Sequence, residues 1–199
     1  MNNKENIELF KSIFSTVERE GANELLRFIE RSDFYTAPAS TRFHGAYEGG
    51  LLEHSLRVYD CLMKKKHTEG TVWHEVLADI PDESIAVTAL LHDLCKTYYY
   101  GVEMRNKKVN GEWIQVPSYR VDDKIPYGHG EKSVMMIEEY MKLKPAERYA
   151  IRWHMGPYSG ERDWSTLDAA MERFPLVMAM FEADMEASHL LEARTAQGG

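Results

Sequence analysis

The sequence predicts an all-α domain that is interrupted by one β-hairpin, at about residues 98–121. Apolar side chains recur every three to four residues over most of the chain, which is typical of amphipathic helices. The segment after Pro81 is apolar nearly all round, as expected for a helix at the centre of a bundle. The hairpin prediction rests on Asn110-Gly111, a strong signal for a tight turn, between stretches rich in aromatic and β-branched residues.

Local start and stop signals bound the predicted helices. Gly21 separates two short amphipathic helices near the N-terminus, and a proline with several glycines marks a loop over residues 33–50. Pro81 opens the most apolar helix, and the charges of Asp82 and Glu83 suit its N-terminus. Helices are expected at about residues 7–17, 25–29, 51–66, 81–96, 131–142, 146–155, 164–173 and 175–192.

Composition restricts the class of protein. The 199 residues suit one domain, which we expect to span residues 1–194, with a disordered tail at residues 195–199. The formal net charge of −8 argues against a general nucleic-acid coat or a binder of anionic membranes. Two cysteines cannot form a disulfide framework. The N-terminus lacks a secretory signal and no apolar run reaches the ~20 residues of a membrane helix, so we expect a cytoplasmic protein with no membrane contact.

Several ionisable side chains fall on predicted apolar helix faces, where an uncompensated carboxylate is costly. These are His54, His92, Asp93, His154 and Asp184. One such aspartate could be explained by a salt bridge, and one such histidine by a satisfied role in the core. Two aspartates with three histidines from different helices instead predict a metal site, because these ligands suit Mn²⁺, Fe²⁺, Co²⁺, Ni²⁺ or Zn²⁺. A carboxylate can bridge two ions, so Asp93 is the candidate bridge if the centre is dinuclear.

The order of these residues resembles the HD superfamily of metal-dependent phosphohydrolases, over about residues 38–188. The strings that carry the resemblance are Gly49–Ser55 (GGLLEHS), Leu90–Lys96 (LLHDLCK), Gly128–Ser133 (GHGEKS), Arg152–Gly156 (RWHMG) and Glu182–Ser188 (EADMEAS). The fold that the resemblance implies is the HD-domain helical bundle, here with the inserted hairpin. One departure is Cys95, which stands where many members have glycine; we interpret it as a small core residue.

The resemblance also implies the roles of the site residues. A first metal would be bound by His54, His92, Asp93 and Asp184. His129 and His154 match the family's two intermediate histidines. They would bind a second ion together with Asp93, or contact substrate and transfer protons if one ion is present. The cofactor would be one or two divalent ions, with Mg²⁺ added to the metals named above.

The implied reaction is the attack of a metal-activated water on phosphorus. Asp93, Lys96, His129 and His154 are the candidate catalytic residues, and Lys96 could also hold a substrate phosphate as a point charge. Other cations near the motifs are weaker candidates for phosphate binding: Arg42, Arg120, Lys124, Lys132 and Arg152.

Three functions stay open at this point. The first is a phosphohydrolase that acts on a small phosphorylated substrate, a nucleotide above all. The second is a 3′–5′ exoribonuclease or phosphodiesterase that acts on single-stranded RNA, and the third is a non-catalytic metal-binding ligand sensor. The hairpin, which mixes aromatic and basic residues, could form a wall over the site or only a packing flap. Among the histidines without a motif, His44 lies close enough to the glycine pair to approach the site.

Overall fold

The computed structural model describes residues 2–109, 111–159 and 164–192. Within these ranges the protein is helical apart from one β-hairpin, which confirms the predicted fold class. The predicted tail at residues 195–199 lies outside them. The helices are α1 (Asn3–Phe14), α2 (Ala22–Arg31), α3 (Gly50–His67), α4 (Val72–Val76), α5 (Asp82–Leu91), α6 (His129–Glu138), α7 (Pro145–Arg152), α8 (Trp164–Arg173) and α9 (Pro175–Glu186).

Helices α3 and α5 lie at the centre and contribute to two hydrophobic clusters. On one side, Leu52 and Val87 pack with α1, α2 and α6. On the other side, Val58 and Ile85 pack with α4, α7, α8 and α9. All four of these side chains are fully buried. Because α3 and α5 are fixed from both sides, side chains at their ends have well-defined positions.

The hairpin consists of β1 (Tyr100–Val109) and β2 (Glu112–Val121) in antiparallel pairing. The register pairs Val109 with Glu112, so the connection is two residues long, the length of the predicted tight turn. Gly111 has φ 91°, the left-handed conformation that such a turn requires. Asn110, the first residue of the predicted turn, lies outside the described ranges. The base of the hairpin is fixed to the body of the protein by the Tyr100 hydroxyl, which donates to the Ala39 carbonyl at 3.0 Å.

Several predicted helix boundaries differ from the structure. α1 ends at Phe14, not near residue 17, and α6 ends at Glu138, not near residue 142. α5 ends at Leu91, not near Lys96, and a short 3₁₀ turn follows over Leu94–Lys96. α7 ends at Arg152, not near residue 155. The last helix changes from α to π geometry over Ala187–Leu191. No helix in the described part of the chain is both long and apolar enough to cross a membrane.

Candidate metal centre

The structure brings all six predicted ligands to one place. Their side-chain donor atoms form three overlapping groups, and within each group the atoms lie within 4.8 Å of one another. The groups are His54 with His92 and Asp93, His92 with His154 and Asp184, and Asp93 with His129 and His154. Because the six ligands come from five segments, with only His92 and Asp93 adjacent, the cluster depends on the packing of α3, α5, α6, α7 and α9.

Close backbone packing sets the position of His54 in the first turns of α3. Gly49 has φ 81°, and Gly50 opens the helix directly against the preceding loop. A Cβ atom on Gly50 would lie 2.0 Å from the carbonyl oxygen of Gly45. The glycine pair therefore serves a close approach of two backbone segments, and this approach fixes the start of the helix that carries His54.

His92 and Asp93 lie just beyond the end of α5. His92 Nδ1 donates to the Ala89 carbonyl at 2.8 Å. That carbonyl is the acceptor that the Asp93 amide would need for another helical turn, so the imidazole replaces the bond that would extend the helix. This explains why the helix ends before the doublet. The end of the helix also allows both side chains to face the same cluster. Within a regular helix, adjacent side chains point about 100° apart and would not easily do so.

His154 repeats the arrangement at the end of α7. Its Nδ1 donates to the Ile151 carbonyl at 2.7 Å, again three residues back. His129 approaches from the start of α6, where a Cβ on Gly130 would lie 2.3 Å from the Arg152 carbonyl oxygen. This close contact between α6 and α7 brings the rings of His129 and His154 to a centroid distance of 5.2 Å.

The two oxygens of Asp93 face different partners. Oδ2 lies 3.4 Å from His92 Nε2 and 2.7 Å from the Lys96 amine. Oδ1 lies 2.8 Å from His129 Nε2 and 3.5 Å from His154 Nε2. The carboxylate therefore connects two groups of nitrogen donors, as a bridging ligand would.

The donor set fits a divalent cation. Nε2 of His54 lies 3.2 Å from Nε2 of His92 and 3.2 Å from Asp184 Oδ1. Because Nδ1 of His92 and of His154 donates to a carbonyl, Nε2 is the nitrogen of each ring that presents a lone pair to the cluster when the ring is neutral. Nε2 of buried His154 makes no hydrogen bond within the described residues. Several lone pairs that converge in a buried place are the coordination environment that a cation needs.

The charges within the cluster are strongly coupled. Burial raises the pKa of Asp93, but the charges of Lys96 and His92 and the hydrogen bond with His129 together outweigh burial and hold this pKa well below its usual value. Burial lowers the pKa of His54, whereas hydrogen bonds to Asp184 and Glu192 raise it to about 10. Burial lowers the pKa of His92, so its imidazole stays neutral and able to bind a metal.

A cavity of about 500 Å³ opens on the cluster. Its polar side includes His54, Asp93, Lys96, His129 and Asp184. Its lining also includes an aromatic and apolar set: Tyr99, Tyr100, Val121, Met155, Tyr158 and Met185. Lys96 is thus the candidate phosphate-binding cation that the structure places in this cavity.

Four of the five remaining candidate cations contact acidic neighbours outside this cavity, and the fifth, Arg42, lies beside an aromatic ring. Lys132 donates to Asp123 at 2.6 Å, and Arg152 forms an ion pair with Glu131. These four residues do not line the cavity over the metal cluster. Arg120 and Lys124 both contact Asp122, at 3.3 and 2.8 Å, and the Arg42 guanidinium lies 5.8 Å from the centroid of the exposed Phe43 ring.

Two residues near the cluster were not assigned to it by sequence. Glu192 accepts a hydrogen bond from His54 Nδ1 at 2.9 Å. Its position after Asp184 would not place it on the same face of a regular helix, so periodicity gave no signal. His44 lines the cavity, with its ring 5.0 Å from that of His54, and burial lowers its pKa to about 4. Its place before the glycine pair was the available signal.

Parts of the chain are similar to known proteins. Over 65 residues, 32% of this chain, the sequence is 40% identical to a dihydroneopterin 2′,3′-cyclic phosphate phosphodiesterase of Methanocaldococcus jannaschii. The aligned stretch is 24% of that relative, so the chain spans about a quarter of its length. No solved structure gives a significant match. A family model of the HD domain matches residues 51–191, well over half of the chain, and the protein therefore belongs to the HD domain family.

Proposed function

We propose that the protein is a metal-dependent phosphohydrolase that cleaves a small phosphate ester. The observation that carries the proposal is the division of Asp93 between two donor groups. The buried lone pairs around it and the HD family membership support the same function. The activity named for the archaeal relative, a phosphodiesterase, is of the same chemical kind.

The chain's own residues would have distinct tasks. His54, His92, Asp93 and Asp184 would hold one ion, and Asp93, His129 and His154 a second. When bound, divalent ions supply Lewis acidity towards phosphoryl oxygens and lower the pKa of a coordinated water.

Lys96 would position the substrate phosphate. Its amine lies 2.7 Å from Asp93 and faces the cavity. It can therefore stabilise negative charge on a phosphate oxygen beside the cluster. If one ion binds, His129, with 31% of its side chain exposed, has access to a leaving oxygen, whereas His154 is 1% exposed. His129 would then donate the proton to the leaving oxygen.

The cavity favours a substrate with a planar ring, and we propose a nucleotide. Tyr99, Tyr100 and Tyr158 line the same cavity as the metal ligands. Aromatic faces can stack on a base while the phosphate lies at the cluster. The substrate in the name of the archaeal relative is a pterin phosphate, which also combines a planar heterocycle with one phosphate.

The test is a phosphoester panel on metal-analysed protein. Nucleoside monophosphates, 2′,3′-cyclic nucleotides and a chromogenic phosphodiester are each assayed with Mn²⁺, Mg²⁺, Co²⁺, Ni²⁺, Fe²⁺ or Zn²⁺. We expect metal-dependent turnover that Asp93→Asn abolishes. The matched control is Asp60→Asn, at an exposed carboxylate on α3 that pairs with Lys64. Turnover that survives Asp93→Asn would refute the proposal, and ligand binding without turnover would identify a sensor instead.

A 3′–5′ exoribonuclease is the second candidate, and the hairpin is the observation that favours it. The strands carry Arg105, Lys107, Lys108 and Arg120 against Glu103 and Glu112, a local excess of positive charge in an acidic chain. Trp113 on β2 is 71% exposed. Salt-sensitive binding and shortening of single-stranded RNA, lost on Trp113→Ala, would support this function.

A further inference from the structure

We propose that Glu192 is a positioning residue of the metal centre, whose carboxylate holds His54 in the orientation and tautomer that present Nε2 to the ion. This inference rests on the proposed function, because it assigns Glu192 to the same site. Glu192 lies directly after the π-turn over Ala187–Leu191, outside every motif that identifies the family here.

The contact between the two side chains is direct and buried. Glu192 Oε1 lies 2.9 Å from His54 Nδ1, and the side chains are 3% and 1% exposed. An ionised carboxylate only accepts, so Nδ1–H of His54 is the donor. The opposite nitrogen, Nε2, faces Asp184 and His92, each at 3.2 Å. A carboxylate that fixes a histidine from the side away from the ion also increases the basicity of the metal-binding nitrogen.

The π-turn explains how Glu192 reaches His54. Glu192 follows Asp184 by eight residues, which in a regular α-helix would place it about 80° further round the axis. Over Ala187–Leu191 the chain instead accommodates one additional residue, and the Glu192 amide donates to the Ala187 carbonyl five residues back. The two acidic residues then lie within about 20° of each other around the axis. The irregular turn therefore places both carboxylates against opposite nitrogens of one imidazole.

A second observation shows that the local backbone accommodates this turn. The Ser188 hydroxyl donates to the Asp184 carbonyl at 2.8 Å, where the regular helical pattern changes. Ala187 and Ser188 are themselves buried against the neighbouring helices. Isolated π-turns within helices are uncommon and frequently occur at functional sites, which fits a role in placing Glu192.

The experiment is calorimetric titration of the metal-free full chain with Mn²⁺. Glu192→Ala is expected to weaken Mn²⁺ binding 10- to 100-fold, the usual cost of losing such a partner, at unchanged stoichiometry. Glu192→Gln should lose less, because the amide oxygen still accepts from His54 Nδ1. Glu182→Gln is the matched control, since this carboxylate lies on α9 and contacts Lys65 at 3.1 Å rather than a ligand, and it should bind as the wild type does.

The outcomes separate this inference from the proposed function. Wild-type affinity in both Glu192 variants would overturn the positioning role and leave the metal centre standing. Loss of one whole ion in both variants would make Glu192 a ligand and would also overturn it. If the wild-type protein binds none of the six candidate metals, the proposed function itself fails. Should Glu192→Ala not fold, as thermal unfolding of the metal-free protein would reveal, the Glu192→Gln titration decides.

Discussion

Gly130 offers a direct test of the second donor group, because it permits the close approach of α6 to α7. In Gly130→Ala the new Cβ would lie 2.3 Å from the Arg152 carbonyl oxygen and 2.7 Å from that of Ile151. Ordinary contact begins at 3.4 Å, so relief of the shorter contact requires a separation of about 1.1 Å, the difference of 3.4 and 2.3. Both obstructing atoms belong to backbone, and neither can move away by a rotamer change.

A shift of that size acts on His129, the residue before Gly130. Its Nε2 now lies 2.8 Å from Asp93 Oδ1, and an additional 1 Å removes the hydrogen bond. Misplacement of a catalytic group by about 1 Å can cost on the order of 100-fold in rate. We therefore expect turnover to fall about 100-fold and the second ion to be lost, while the ion at His54, His92 and Asp184 is retained.

Turnover on the best panel substrate and metal stoichiometry by elemental analysis measure the two effects. The control is Gly101→Ala, where the new Cβ would meet Asp122 Cβ at an ordinary 3.5 Å. Overpacking should also cost about 1–3 kcal/mol of stability, which thermal unfolding would detect. Wild-type turnover together with wild-type metal content in Gly130→Ala would refute the role assigned to this contact.

Two further predictions concern residues remote from the cluster. Arg19 contacts the fully buried Glu147 at 2.6 Å and Glu83 at 2.9 Å. Arg19→Met should therefore lower the unfolding free energy, measured by urea denaturation at pH 7, by about 3–5 kcal/mol. A loss under ~1 kcal/mol would contradict this prediction. The hydrogen bond from Arg19 lowers the pKa of Glu83, so this part of the stabilisation is fully present above the ordinary pKa of 4.5 and is lost as the pH falls through the folded pKa. The unfolding free energies of the variant and the wild type should therefore converge in acid. Burial raises the pKa of the Cys61 thiol to about 11, which leaves a thiolate fraction of roughly 10⁻³ at pH 8. Iodoacetamide should therefore modify Cys61 only when the protein is unfolded in urea. Rapid modification of Cys61 in the folded protein would show that this thiol is not buried.

The ligands could be predicted because their signal is local and repeated. Each of His54, Asp93 and Asp184 lies on an apolar helix face, where burial of an ionisable group needs compensation. The order of the motifs then indicates the complete set of ligands. The helix ends could not be predicted. Leu91 ends α5 because the His92 imidazole takes the Ala89 carbonyl, and this competition is decided by tertiary packing. Near the end of α7 the His154 imidazole takes the Ile151 carbonyl in the same way.

The phosphate-binding candidates show a second limit of sequence. Lys132 lies near a motif in sequence, but its amine is directed to Asp123, in a loop that folds back onto α6. Lys96 differs because its contact is with the ligand Asp93 itself, three residues away. A short distance along the chain shows that a cation lies near a site. Whether that cation is available to bind substrate depends on which acidic side chains the fold places beside it.

The four histidines of the cluster are not held equally. His92 and His154 donate from Nδ1 to backbone carbonyls, and His54 donates to a buried carboxylate. Nδ1 of His129 instead faces the Cys95 thiol at 3.3 Å, a weak partner, where many family members have glycine. Strong acceptors fix a ring and its tautomer, and a thiol does so poorly. The group of His54, His92 and Asp184 is thus the better organised half of the centre, and the half containing His129 owes its geometry to the contact at Gly130.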